Sequence, residues 1–380
     1  MKTAQLSYSE KNNWSPIPEH FDNEAAQLVL VFGNRRMLKK NEPFAYLQQL
    51  FPKADIAGCS TSGEIAGENV FDDHIIATAI QFDSTLTEVA EVAIQSMEES
   101  YAVGQKIAQK LNKKGLKHVL VLSEGLNING SELTKGLNEV LENKVPVTGG
   151  LAGDQAEFAE TVIVHNQPGR TNIVVAIGFF GDNLQVGYGS MGGWDSFGVD
   201  REVTRSTANI LYELDGQPAL ELYKRYLGDH ATRLPASALL FPLNMTFNNS
   251  ETSVVRTVLS VNENDGSMVF AGDIPTGSFV RLMKASFDRL IDGASDAAEM
   301  SLTGLGTDQP DLAILISCVG RKLVLKQRVE EELETIRAAF GPKTSITGFY
   351  SYGEICPLKP FDVHCELHNQ TMTVTVFKES

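Results

Sequence analysis

The chain predicts an α/β fold of two related mixed-sheet domains, each built from duplicated β-α-β-loop-hairpin units. Three observations carry that expectation. An apolar stretch runs into a glycine, a few small or aromatic residues, a second glycine and an acid at residues 56–64, 147–154 and 346–354. Strand, helix and strand patterns precede each copy, and strand patterns follow it. With 380 residues, 42% of them hydrophobic, the chain exceeds what one core usually holds, so two domains are expected.

Taken in order, 27–32 is a short apolar run suited to a buried strand, and 42–50 has helical spacing with Pro43 near its start. Residues 54–57 lead into the first glycine loop. Residues 75–82 and 86–94 read as a hairpin joined by Asp83-Ser84-Thr85. A helix at 101–112 is followed by a strand at 118–122, a helix at 131–141 and a strand at 145–148 entering the second loop. Strands at 161–164 and 173–180 complete what reads as a second copy of one unit. The stretch 187–198 is dense in glycine and carries Trp194, and the domain boundary is placed there, after residue 195.

Beyond the boundary, 202–214 reads as strands around a turn and 218–227 as an amphipathic helix opened by Pro218. Residues 238–241, 253–261 and 267–270 are strand candidates, with Asn264-Asp265-Gly266 as a hairpin signal. The tail repeats the unit once more: a strand at 311–317, a charged helix at 327–340 ended by Gly341-Pro342, a strand at 345–347 entering the third loop, and a last strand at 371–377.

A formal charge of −16, from 48 acidic and 32 basic residues, repels polyanions and argues against nucleic-acid or anionic-membrane binding. Small molecules and proteins are the expected partners. No apolar run of about 18 residues is present to span a bilayer, and residues 1–20 lack the apolar core of a signal peptide, so a cytoplasmic location is expected. Cys59, Cys318, Cys356 and Cys365 are widely spaced, which suits reduced thiols.

Several constellations bear chemistry. Residues 123–131 open a helix, but Ser131 stands where a phosphate loop needs lysine; Asn129 as cap and Glu132 as its partner explain the segment. Residues 58–63 do not fit a G-x-S-x-G nucleophile turn, so a catalytic Cys59 is not expected. Glu64, Asp154 and Glu354 end the loops, where a carboxylate either caps the local backbone or meets a ligand's ammonium group. Cys356, His364, Cys365 and His368 have metal-ligand chemistry, yet strand alternation splits them across a sheet, and no metal site is expected. A non-covalent haem would need one axial side chain; His74, His118 and His165 flank apolar strands and are the candidates.

The stretches 28–34, 58–64, 119–130, 147–154, 211–223, 316–321 and 348–357 together resemble the FIST sensory proteins, signalling modules of bacteria and archaea, over nearly the whole chain. The resemblance implies an N-terminal extension at 1–24, a FIST N-terminal domain at 25–195 and a FIST C domain at 196–380. It also implies a sensor of a small ligand that acts on a separate histidine kinase or similar signalling protein and is not itself an enzyme. Haem b and nitric oxide sensing are the most concrete form of that implication. The repeated loops are then expected to line the ligand cleft, with Cys59, Ser60, Thr61, Glu64, Asp154, Tyr350, Tyr352 and Glu354 as contacts. The rival reading is an enzyme that uses Cys59 or Glu64 on a small metabolite.

Overall fold

Strands apolar along their whole length must be covered on both faces, and this chain solves that problem three times with one strand order. The computed structural model describes residues 1–247, 253–306 and 309–380. The first unit contains β1 (Lys2–Ser9), β2 (Leu28–Gly33), α1 (Asn41–Leu50), β3 (Asp55–Ser60), β4 (Glu64–Ala66) and β5 (Ile75–Gln81). The second contains β6 (Leu86–Ala93), α2 (Ser100–Lys110), β7 (Leu116–Ser123), α3 (Gly130–Val140), β8 (Val147–Leu151), β9 (Ile163–His165) and β10 (Ile173–Phe180).

The third unit opens with β11 (Leu184–Met191) and is then interrupted by an antiparallel sheet. That insertion comprises β12 (Asp195–Thr207), β13 (Ile210–Leu214), α4 (Ala219–Leu227), β14 (Leu243–Thr246), β15 (Ser253–Arg256), β16 (Val258–Asn262), β17 (Ser267–Phe270) and β18 (Phe279–Lys284). The third unit resumes with α5 (Phe287–Leu305), β19 (Leu312–Cys318), α6 (Val319–Leu325), α7 (Glu331–Phe340), β20 (Ser345–Ser351), β21 (Gly353–Pro357), β22 (Cys365–His368) and β23 (Met372–Glu379). None of the described helices is long and apolar enough to cross a membrane.

In each unit two parallel strands, β2 with β3, β7 with β8 and β19 with β20, lie beside an antiparallel strand, respectively β5, β10 and β23. Strands β1, β6 and β11 complete the three sheets. The short strand after each glycine segment leaves its own sheet for the next unit's: β4 pairs with β20, β21 with β8, and β9 with β3. The register repeats as well, with Ile65 opposite Gly348, Ile355 opposite Gly149 and Val164 opposite Gly58. The three units are therefore laced into a closed ring by exchanged strands.

The inner faces meet in one core that draws on every unit, including Phe32, Cys59, Leu122, Ile163, Val175, Ile316 and Phe349. The outer faces are covered by helices, α1 on the first sheet, α2 and α3 on the second, α5 and α7 on the third. Helix α5 shows why glycine crowds residues 187–193: a Cβ at Gly187 would lie 2.0 Å from the Ser301 carbonyl oxygen and one at Gly189 2.3 Å from that of Ala297. Helix and strand backbones touch there, which only glycine permits.

The mixed α/β architecture and the recurrence of a unit are as the sequence predicts, but 75–82 and 86–94 do not form the expected hairpin: β5 pairs with β1 and β2, whereas β6 crosses to the second sheet and pairs with β10. Residues 1–24, read as an extension, include β1, whose Leu6 is buried in the first unit's outer core. The strand expected at 238–241 is a short 3-10 helix, Ala236–Leu240, in which the Ala238 amide bonds to the Pro235 carbonyl. The expected boundary after residue 195 falls where β12 leaves the third unit.

Candidate functional site

Strand ends β7 and β19 occupy equivalent places in the second and third units, and both open toward the inserted sheet. Each then starts a helix: Asn129 caps α3 by accepting the Ser131 and Glu132 amides at 3.0 and 3.2 Å, as its sequence position predicts, and Cys318 precedes α6. Between them and the insertion lies a cleft of about 150 Å³. Ile128, Leu151, Phe158, Tyr352 and Val319 supply walls from the two units, and Thr257, Leu259, Phe270 and Ala271 close it from the insertion. Among the described residues, no Asp, Glu, Lys, Arg or His lines it.

Asp154 holds one wall in place. Its carboxylate accepts the Phe158, Ala159 and Glu160 amides at 2.8, 2.9 and 2.9 Å, receives the Tyr352 hydroxyl, and pairs with Arg35 at 2.5 Å. Phe158 has a left-handed backbone, φ 50°, a conformation that costs a bulky residue about 1–3 kcal/mol. The amide bonds to Asp154 offset that cost. They set the Phe158 ring on Tyr352, with centroids 4.6 Å apart and planes 13° from parallel, at the mouth of the cleft.

Of the eight expected contact residues, Tyr352 alone lines this cleft, and Asp154 stands directly behind it. The others meet where the glycine segments converge in the interior. Ser60 accepts the Val162 amide through its hydroxyl at 3.0 Å, and the Tyr350 hydroxyl donates to Glu332 at 2.7 Å. Cys59 is fully buried in the central core, where burial pushes its thiol well above its ordinary pKa. The first glycine of each segment lies within a strand against its parallel neighbour and away from the lining of this cleft. In topological terms Glu64 and Glu354 are equivalent, lying opposite Phe349 and Gly150. The matching position in the second copy, opposite Cys59, is Ile163 and not Asp154.

Glu64 and Glu354 are both buried, and burial raises each carboxyl to about 8, against the pull of hydroxyl bonds from Thr61 at 2.6 Å and from Ser351 at 2.5 Å. In the unfolded chain they ionise near 4.5. Their contribution to stability is complete below that value and is lost as pH rises through about 8. Glu379 behaves oppositely: although burial opposes it, the amides of Asp83, Ser84 and Thr85 hold it at about 2, so its contribution disappears on acidification through that value. Urea midpoints measured from about pH 5 to 9 should fall with rising pH, and the fall should be smaller in Glu64→Gln and Glu354→Gln. A flat wild-type profile would contradict these buried, protonated carboxyls.

The histidines proposed as haem ligands do not fit that group. His118 is fully buried, its ring 6.2, 6.3 and 5.8 Å from those of Phe179, Tyr188 and Phe377, and burial lowers it to about 3. Its Nε2 is 2.9 Å from the Thr148 hydroxyl. Those rings fill the space a porphyrin face would need. His165 pairs with Glu91 at 3.0 Å, and His74 packs on Phe71 at 4.6 Å. None of the three borders the apolar cleft. In the cysteine–histidine cluster, Cys365 is buried beside Asn138, His368 bonds the Cys356 carbonyl at 2.9 Å, and His364 is on the surface with Glu366.

Comparison with known proteins gives three findings. The FIST N domain matches residues 27–217 and the FIST C domain residues 219–357. An uncharacterized protein of Methanocaldococcus jannaschii, MJ1623, is 24% identical over 401 aligned positions, covering 94% of this chain and 74% of that protein. A crystal structure of cyanuric acid hydrolase from A. caulinodans aligns at a TM-score of 0.37 and 7% identity, over 94% of this chain and 91% of that one, a level at which neither fold nor chemistry carries across. FIST domains are associated with the sensing of small ligands in signal transduction. The two matched domains together span most of the sequence, and the chain belongs to the FIST family.

Proposed function

We propose that this protein is a non-catalytic small-ligand sensor whose ligand occupies the cleft between the second unit, the third unit and the inserted sheet. The observation that carries the reading is the cleft's position: an occupant touches the second unit, the third unit and the insertion at once, so it would favour whichever arrangement of the three binds it better. A separate signalling protein, such as a histidine kinase, would read that change as a difference in affinity. Among the described residues the lining carries no carboxylate, imidazole or amine, which favours binding over general acid–base chemistry. Cys59 and Glu64, the residues of the rival enzyme reading, lie away from this lining.

A thermal-shift panel of free amino acids, mononucleotides, haem and neutral aromatic amides tests the reading. A ligand at about 100 times its Kd raises apparent stability by about 2.7 kcal/mol. Ala271→Trp, which fills the cleft from the insertion side, should remove the shift while leaving the unliganded melt close to wild type. A shift that survives in Ala271→Trp, or a panel with no shift at all, would set this cleft aside as the sensory site.

A further inference from the structure

The cleft lining also identifies the kind of molecule it takes. We infer that the ligand is a neutral, ring-sized molecule with an apolar body and one uncharged hydrogen-bonding group; this rests on the sensor reading above and narrows it.

Charge is the first argument. A charged ligand entering the cleft must give up water, and an ion moved into an apolar site without a counter-charge is strongly disfavoured. Among the described residues, the titrating groups in the lining are the Cys318 thiol, which burial holds in its neutral form, and the Tyr352 phenol, which donates to Asp154. Arg256 stands behind the Gly272 wall, but it donates to the backbone carbonyls of Asp273, Val255 and Leu367 at 3.0, 3.3 and 2.9 Å. Asp273, of opposite sign, accepts from the Asn129 side chain at 2.9 Å. The two charges oppose each other and are bonded within the protein.

The mouth supplies the second argument. Met97, Phe158 and Leu259 are 39%, 50% and 48% exposed, and all three rim this cleft from different segments. Large apolar side chains gathered at one opening are covered by an apolar ligand. The Asp154 bonds and the stack on Tyr352 fix the Phe158 ring at this opening, so the apolar rim is preformed.

The third argument is a polar group without a partner. Thr257 is 5% exposed, borders the cleft, and its hydroxyl has no hydrogen-bond partner among the described residues. Most buried hydroxyls find a partner within the fold, and this one, unpaired at the cleft wall, is a group that a ligand amide or hydroxyl would satisfy. Asn369, also in the lining, accepts the Thr257 backbone amide through its side-chain oxygen at 3.5 Å. Size fits as well: a cavity of about 150 Å³ accepts a single aromatic ring.

Matched pairs test the inference: benzamide against benzoate, and phenylacetamide against phenylacetate, by thermal shift on the full chain. The amides should raise Tm at concentrations where the carboxylates do not. Ala271→Trp should abolish the amide shift; Leu259→Arg at the mouth serves the same purpose if the tryptophan variant fails to fold. Thr257→Val keeps the shape and removes the hydroxyl, and should weaken amide binding about 2- to 10-fold without lowering the unliganded melt. A carboxylate that stabilises as well as its amide and loses the effect in Ala271→Trp overturns the neutral class and leaves the cleft as the sensory site. Silence from both amides also overturns the neutral class alone, because the wider panel judges the site. An amide shift that survives both blocking variants overturns class and site together.

Discussion

Gly149→Ala is expected to prevent folding, and Gly58→Ala and Gly348→Ala to do the same. A Cβ at these positions would lie 1.8, 2.0 and 1.9 Å from the carbonyl oxygens of Val31, Val121 and Leu315, for Gly58, Gly149 and Gly348 in turn, where real Cβ contacts stay beyond 3.0 Å. Each carbonyl belongs to the residue directly opposite on the parallel neighbour, so relief requires the central strands to part. A cost above about 4 kcal/mol is the rare, severe class for one substitution, set against total stabilities of about 5–15 kcal/mol. Soluble yield and far-UV circular dichroism measure it. Gly115→Ala is the control: its Cβ meets nothing within 4 Å, and only its backbone, φ 77°, resists, at about 1–2 kcal/mol. A Gly149→Ala protein that melts like Gly115→Ala would contradict the strand packing described above.

Glu332→Ala should be the next most damaging change. Arg321 and Glu332 are both fully buried; Nη2 and Nε of the arginine donate to the carboxylate at 2.8 and 3.2 Å. The guanidinium also donates to the Gly192 and Leu290 carbonyls at 2.5 and 2.7 Å, and Glu332 accepts from Tyr350 and Ser317. This cluster ties α6 to α5, α7 and β20. Removing the carboxylate leaves an uncompensated buried cation, a loss of about 3–5 kcal/mol. Denaturant midpoints measure it, and Arg321→Met combined with Glu332→Leu should recover part of the loss, though the Gly192 and Leu290 carbonyls stay unpaired. Gly320, one residue before Arg321, lines the cleft, so the same variants should blunt any ligand response. A loss under about 1 kcal/mol, the range of exposed pairs, would mean the cluster is open to water.

How much of this was legible in the sequence depends on the residue. The Asn129 cap and the parallel strands at 28–33 and 116–123 announce themselves through local chemistry and apolar runs. Helix α5 does not: its buried face is Gly293, Ala294, Ala297, Ala298 and Ser301 beside Leu290 and Ile291, small residues that allow close packing but mute the apolar period. The exchange of strands is equally hidden, because β4 and β9 are three residues long and their partners lie in other units. The glycine repeat was visible, but glycine serves a backbone contact as well as it serves a ligand, and here the first glycine of each copy serves the backbone. The cleft escaped because Gly320, Thr257 and Phe158 come from segments that share no local pattern.

The site is tested most directly by a crystal structure of the protein grown with phenylacetamide. Density for the ring between Phe158 and Val319, with its amide at the Thr257 hydroxyl, is the expected result. Ligand density elsewhere on the molecule, with the cleft holding only water, would contradict it.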